Sequence, residues 1–451
     1  MKKNTWKDSL VIGFAMFAVF FGAGNLIFPP QIGLMSGEAV LAGVIGMTLT
    51  GILLPMLAVA AVGNMGDNLR SITRHVNPWW HVLYMVLGMF IILFGTIPRA
   101  GAVAYETGLL GIFPQLPSYS KWIFLLVFFG ISYYFASNKS NVVDRIGKLV
   151  TPILLIALVI IVVLTFVNPI GSPGGGSYEH PFSDAFLTAY NTGDVGTGLV
   201  CAGIFIAAIR GKGYTEEKEF RSVLFKVIAV SFVILFIVYG GLCYLGSTGT
   251  ELFEADTDQT ALLVGLIQRV AGYGGIVVLS IAIIFACLTT AAGMIATGSD
   301  WADMAFKGKV PYRVIALVIT LIIFLMASTG ASFVIKVSGP IFTFIYPMSI
   351  VMTIMGVCKK WVPNDGAWKG AVYVATLFSL YDAFAVARAN GLVALQTDGL
   401  DRLIGMIPLS EFGFDWLIPS IIGFIAGALI WKALGKESLT DERLEQPEAV
   451  E

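Results

Sequence analysis

The sequence predicts an all-α membrane protein of about twelve transmembrane helices. Three observations carry this reading. Of 451 residues, 57% are hydrophobic and 13% charged, and the apolar runs repeatedly reach the roughly 20 residues that cross a hydrocarbon core of about 30 Å. Lys and Arg cluster in every second connection. Two of the runs are interrupted by Gly, Asn, Asp and Pro, at a depth where lipid offers no water to loosened backbone groups.

The runs fall near 9–35, 39–64, 80–110, 120–137, 147–167, 185–209, 223–246, 271–299, 312–329, 333–357, 367–388 and 414–434. Lys2, Lys3 and Lys7 precede the first run. Arg70 and Arg74 follow the second, Lys139, Arg145 and Lys148 the fourth, and Arg210, Lys212, Lys218 and Arg221 the sixth. Lys307, Lys309 and Arg313 follow the eighth, and Lys359, Lys360 and Lys369 the tenth. The other connections are poor in basic residues and carry acids such as Glu251, Glu254, Asp256 and Asp258. By the positive-inside rule both termini are cytoplasmic. One missed span would invert every later loop, so the alternation also supports the count.

The basic start resembles a secretory signal, but its run is too long and no small-residue cleavage site leads into a polar domain; an uncleaved first span is expected. The 168–183 segment, with Gly-Ser-Pro-Gly-Gly-Gly, is expected to be a flexible external loop. The acid-rich tail beyond Gly435 is expected to be disordered. Four cysteines (Cys201, Cys243, Cys287, Cys358) and three histidines (His75, His81, His180) stand singly, without metal or redox spacing. No HExxH, GxSxG or Walker-type loop is present, so an enzyme is not expected. No basic patch suggests a nucleic acid partner.

The first interruption is Phe21-Gly22-Ala23-Gly24-Asn25-Leu26-Ile27-Phe28-Pro29-Pro30, inside span 1. The second is Ala189-Tyr190-Asn191-Thr192-Gly193-Asp194-Val195-Gly196-Thr197-Gly198, inside span 6. They are equivalent if the first ten spans form two five-helix halves, and matched interruptions point to a transporter's central site. Either stretch alone could be glycine that lets helices pack. A broken helix leaves free N–H groups at one new end, which attract a carboxylate, and free C=O groups at the other, which attract a cation or ammonium. A zwitterionic amino acid with a cotransported cation matches both ends.

Span 8 adds Ala286-Cys287-Leu288-Thr289-Thr290. Residues three and four apart share a helix face, so the Ala286 carbonyl and the Thr289 and Thr290 hydroxyls can converge on a small hard cation. The bland alternative is two threonines bonding back to their own helix. Span 3 carries Arg99 and, seven residues on, Glu106. Ionisable groups inside a span are functional candidates by default. These two share a face about 10 Å apart and lie near the external end, where they are expected to form a gate or a structural ion pair. Lys336 is expected at the interface. Asp194 is expected to cap the second half of span 6, with proton acceptance as the alternative.

The Gly22–Pro30 run, the Tyr190–Asp194 break and Leu288-Thr289-Thr290-Ala291 together resemble the bacterial branched-chain amino acid:cation symporters. The resemblance covers nearly the whole chain except the acidic tail. It departs at Gly193, where the family pattern has a larger apolar residue, usually methionine. The resemblance implies a LeuT-type fold: one five-helix repeat over 1–168, its inverted partner over 169–358, two peripheral helices over 359–435 and a cytoplasmic tail over 436–451. It implies a multi-pass protein of the bacterial inner membrane, importing Leu, Ile or Val by Na+ symport. By the same similarity Asn25 and either Thr188 or Thr192 ligate a Na+ beside the substrate. Ala286, Thr289 and Thr290 form a second Na+ site. The Gly24 and Asn25 amides hold the carboxylate, Phe186 and Tyr190 line the apolar pocket, and Ala23, Asn191 and Thr192 are further substrate-binding residues. The same fold coupled to H+, or carrying another small metabolite such as a nucleobase, is the rival reading; a membrane sensor or channel is the rival class. One chain suffices for such a site, and the oligomeric state is open.

Overall fold

The computed structural model describes residues 5–137, 142–394 and 397–439, with backbone only at 142–150. All regular structure among them is helical. Eight helical runs are long and apolar enough to cross a membrane, and Thr151–Val167, Tyr312–Ser328 and Leu417–Ala433 are shorter apolar helices. The run Gly24–Met65 is 42 residues long. Straight, it would reach about 60 Å, twice the hydrocarbon core. Gly37, at φ 52°, lets the chain turn there, so the run holds both the second half of span 1 and span 2. With the half-helix Thr5–Phe20 the runs account for the twelve expected spans. The 48-residue run Gln259–Phe306 is broken at Gly272 (φ 63°, ψ −170°), so span 8 proper starts there, as the hydropathy pattern indicates.

Both expected interruptions are breaks in the helix. Span 1 is Thr5–Phe20 and Gly24–Ser36, separated by Phe21–Ala23. Pro29 and Pro30 lie in the second half, and neither can donate the helical hydrogen bond back to the Asn25 and Leu26 carbonyls. Span 6 is Pro181–Thr188, a 3₁₀ turn over Ala189–Thr192, and Asp194–Gly211. Gly193 joins turn to helix at φ 79°. Only a residue without Cβ takes that conformation cheaply, which accounts for a glycine at this departure from the family pattern.

Close backbone packing holds the breaks in place. A Cβ on Gly33 would lie 1.8 Å from the Cys243 carbonyl oxygen, and one on Gly246 would lie 1.9 Å from that of Pro30. The second half of span 1 therefore touches span 7 (Glu217–Ser247) backbone to backbone, the packing by which small residues join helices in lipid. Spans 11 (Asp365–Ala389) and 12 (Leu417–Ala433) do the same through Gly366, Gly370, Gly423 and Gly427.

Two expectations about connections change. The 168–180 segment is pinned rather than free. The Glu38 amide donates to the Gly174 carbonyl (2.7 Å), the Ser177 and Tyr178 amides donate to the Met35 carbonyl, and the Gly174 amide donates to Thr250 Oγ1 (2.7 Å). Its glycines serve close approach, since a Cβ on Gly176 would meet the Met35 carbonyl oxygen at 2.4 Å. Lys436–Leu439 are also tied down, because the Leu439 amide donates to Asp365 Oδ2 (2.9 Å). The rest of the tail lies outside the described residues, as does Lys139.

Candidate functional site

The two breaks are cross-linked by side chains. Asn25 is 2% exposed. Its Nδ2 donates to Asp194 Oδ2 across the breaks (2.6 Å) and to the Tyr239 hydroxyl of span 7. Both amide hydrogens are thereby used, and Oδ1 is left as an acceptor. At the first break Asn25 and Leu26 donate their amides to the Gly22 and Ala23 carbonyls (3.1 and 3.3 Å). The Gly22, Ala23 and Gly24 amides have no acceptor among the described residues. Asp194 is the first residue of its half-helix, where the helix dipole favours negative charge.

Arg99 is the third member. It is not near the end of span 3, and it does not pair with Glu106. It is 1% exposed, and Nη1 donates to the Asn191 carbonyl in the second break (2.6 Å). At the first break a Cβ on Gly24 would lie 2.8 Å from Arg99 Nη2. The rings of Phe28 and Phe342 flank the guanidinium at 5.3 and 5.6 Å. Nε is buried without an acceptor. The carbonyl end of break 6 thus already faces a cation, the protein's own, whose Nη2 lies beside Gly24 of break 1.

A spacing of seven puts Arg99 and Glu106 on one face only in an unbroken α-helix. Span 3 instead has π-helical turns at Ile92–Thr96 and Ala104–Leu109, on either side of the α segment Ile97–Val103. Each π turn inserts a residue and rotates the helix beyond it. Glu106 consequently faces elsewhere, accepting from the Ala331 amide (3.2 Å) and Thr260 Oγ1 (3.2 Å). It caps span 10 (Ala331–Val357) behind Gly330, which stands at φ 98°. Losing one such cap costs on the order of 1 kcal/mol. Glu106→Ala is expected to lower the thermal midpoint by a few degrees and leave any transport intact; a variant that is inactive at unchanged stability would contradict the capping role.

Asp194 does not cap through its side chain, since Gly193 is the capping residue and no side-chain cap bond forms. Its carboxylate serves Asn25 instead. The two threonines left open by the sequence separate. Thr188 Oγ1 is bonded to the Tyr178 hydroxyl of the pinned connection (2.9 Å). Thr192 Oγ1 donates to the Ala189 carbonyl (2.9 Å) and meets the Tyr346 hydroxyl (3.3 Å), within two residues of Asp194. Asn191 Nδ2 donates to the Thr188 carbonyl (3.1 Å). Tyr190 stacks on Tyr346 (4.4 Å between centroids) and meets Phe186 edge-on (5.8 Å). Sequence reasoning missed Tyr239 and Tyr346. Their signal was a tyrosine deep inside an apolar span, where the hydroxyl needs a partner.

In span 8 the Thr289 and Thr290 hydroxyls both donate to the Ala286 carbonyl, at 2.9 and 3.0 Å. The three oxygens are gathered as their spacing requires. The bonds are the back-bonding pattern of threonine in helices, and each hydroxyl keeps lone pairs free. Lys336 is exposed and lines a cavity of 780 Å³. That cavity runs from Tyr190 and Asn191 past Asp382 to Asp256 and Asp258 in the acidic connection. Its size is ordinary for a small-molecule site.

Two broken spans that face each other, cross-braced by buried polar side chains and reached from one side by a cavity, define a membrane transporter of the LeuT type. The fold of MhsT, solved in complex with L-phenylalanine, is similar at TM-score 0.55 and 14% identity, over 83% of this chain and 98% of that one. Mhp1 in an inward-facing conformation is similar at TM-score 0.63 and 13% identity, over 98% and 95%. The chain belongs to the branched-chain amino acid transport protein family, whose model matches residues 5–434. It is 31% identical over 450 residues to the branched-chain amino acid permease BraB of Bacillus subtilis, covering 97% of this chain and 98% of that one. The branched-chain amino acid transport system 2 carrier protein of Pseudomonas aeruginosa is 31% identical over 438 residues, covering 95% and 97%.

Proposed function

We propose that this protein imports leucine, isoleucine or valine across the bacterial inner membrane by Na+ symport, through alternating access around the two breaks. The observation that carries the reading is the polarity of the central site. On one side stand the three amides without acceptors at Gly22–Gly24 and the Arg99 guanidinium, whose Nε has no acceptor. On the other stand the Asp194 carboxylate and the free Oδ1 of Asn25. A zwitterion and a small cation need such an opposed pair. Tyr190, Tyr346 and Phe186 supply an apolar, aromatic neighbour for a branched side chain.

The residues present suit a hard monovalent cation, which takes oxygen ligands. Asn25 Oδ1, Thr192 and Asp194 would serve one position, and the Ala286 carbonyl with the Thr289 and Thr290 hydroxyls a second. Bound there, the ion would supply positive charge that strengthens substrate binding by linkage, each ligand favouring the other by the same factor. On this reading spans 1–5 and 6–10 are the two inverted repeats. The acidic connection and the cavity mouth are external, and both termini are cytoplasmic. The names of BraB and the Pseudomonas carrier support the choice of cargo.

Uptake of radiolabelled leucine into proteoliposomes tests this, with unlabelled isoleucine, valine or a nucleobase as competitor and with a Na+ or H+ gradient imposed. Competition by the two branched amino acids alone, and only with Na+, is expected; drive by H+ without Na+ would overturn the coupling. The alanine pair Thr289→Ala/Thr290→Ala is expected to raise the Na+ concentration for half-maximal uptake by about tenfold or more, the scale of one lost charge-assisted contact. Normal sodium-driven uptake by that variant would remove span 8 from the cation site.

A further inference from the structure

The turn between spans 11 and 12 lies against the first half of span 6. Span 11 contributes Asp382 and Val386 to the wall of the 780 Å³ cavity, and the turn contributes Gly413. The Phe412 ring meets His180 edge-on at 4.8 Å, and the Phe414 ring meets Phe186 edge-on at 5.1 Å. Between the two rings, a Cβ on Gly413 would lie 2.4 Å from the Leu187 side chain. His180 precedes the eight-residue half-helix Pro181–Thr188, and Phe186 and Leu187 lie in its last turn. The turn therefore grips this half-helix at both ends.

Its shape is set by the backbone. Leu409 and Gly413 both stand in the left-handed region, at φ 72° and 71°. Glycine takes that conformation freely, whereas leucine rarely adopts it. The Leu409 carbonyl accepts from the amides of both Phe412 and Phe414, each at 3.1 Å. The two residues that carry the rings are thus tied to one carbonyl, and the turn presents them in a fixed arrangement. From Phe414 the ring contacts continue without interruption to the second break. Phe186 meets Tyr190 edge-on at 5.8 Å, and Tyr190 stacks on Tyr346 at 4.4 Å.

Edge-on ring pairs have a preferred geometry and resist sliding. Phe186 is only partly buried, so the position of its ring depends on what stands behind it. We propose that Phe414 is a positioning residue for cargo selection: it backs the Phe186 ring and thereby fixes the room left for an apolar side chain. This assignment rests on Phe186 being a wall of the amino acid pocket. Without the backing, the ring can withdraw toward the turn and the pocket deepens. A small side chain then loses contact and a large one gains space. The amides of Gly22–Gly24, Asn25 and Arg99 are untouched, so the change falls on discrimination between side chains.

Uptake kinetics of valine, leucine and phenylalanine in proteoliposomes test this with Phe414→Ala, Phe414→Leu, Phe414→Tyr and Phe186→Ala. Phe414→Ala and Phe414→Leu are expected to raise KM for valine by about tenfold, to leave leucine within about threefold and to admit phenylalanine, with kcat unchanged. Phe414→Leu keeps the site apolar, so it serves as the variant most certain to fold. Phe414→Tyr keeps the ring and is expected to preserve the wild-type ratios. A uniform loss of kcat for all three amino acids would make Phe414 a packing residue and overturn the proposal. So would unchanged ratios in the Phe414 variants beside altered ones in Phe186→Ala. Unchanged ratios in Phe186→Ala as well would show that Phe186 is no pocket wall, and the underlying reading would fall instead. Hydrogen exchange of the purified protein reads the contact without any cargo. Phe414→Ala is expected to speed exchange at the 185–188 amides by about tenfold, with span 7 unaffected. Equal protection there would show that the turn does not hold the half-helix.

Discussion

Replacing Arg99 by Gln is expected to reduce leucine uptake by about 100-fold or more while leaving the protein folded and inserted. The guanidinium is the one cation buried between the breaks among the described residues, and it satisfies the Asn191 carbonyl at 2.6 Å. Removing one partner from a buried charged contact costs about 3–5 kcal/mol, which corresponds to roughly two to four powers of ten. Glutamine retains a donor for the Asn191 carbonyl, so the turn at Ala189–Thr192 keeps its shape. The positive charge beside Gly24 is lost. Arg99→Lys separates charge from geometry. Lysine restores the charge, but as a point on a flexible stem in place of a planar fork that reaches both breaks, so partial recovery is expected. Uptake by Arg99→Gln within a few-fold of wild type, at equal abundance in the liposomes, would reduce Arg99 to a packing residue.

The second large effect is expected at Asn25. Asn25→Ala removes the donor to both Asp194 and Tyr239, leaving a buried carboxylate and a buried phenol facing a void. The Oδ1 acceptor disappears in the same substitution. Affinity for amino acid and for cation are expected to fall together, each by about tenfold or more. Linkage is the reason for the parallel loss: when the shared residue goes, each ligand also loses the benefit conferred by the other. A variant that lost amino acid affinity with unchanged sodium dependence would place Asn25 in the substrate pocket alone.

The breaks were legible because glycine, asparagine and proline are conspicuous in an apolar run, and lipid forbids an exposed break that has no purpose. The side chains that lie between the breaks were less legible. Arg99 was visible as an anomaly, but its separation from Glu106 depended on a π-helical turn at Ala104–Leu109 that leaves no compositional trace. Its partner, Asn191, is 92 residues away. Thr188 and Thr192 look interchangeable in a list; the 3₁₀ turn at Ala189–Thr192 aims one toward Tyr178 and the other toward Tyr346. The glycines of 168–180 suggested freedom, yet they serve contact, because their backbone lies against Met35 and Glu38. In each case local chemistry announced that something was present, and a distant segment determined what it touched.

One measurement bears on the shared site most directly. Equilibrium binding of leucine to the purified protein, across a range of sodium concentrations and without any membrane gradient, isolates the site from transport. The leucine dissociation constant is expected to fall as sodium rises, and the sodium half-saturation point to fall by the same factor as leucine rises. Leucine binding that is equally tight at every sodium concentration would show that the amino acid and the ion do not meet between spans 1 and 6.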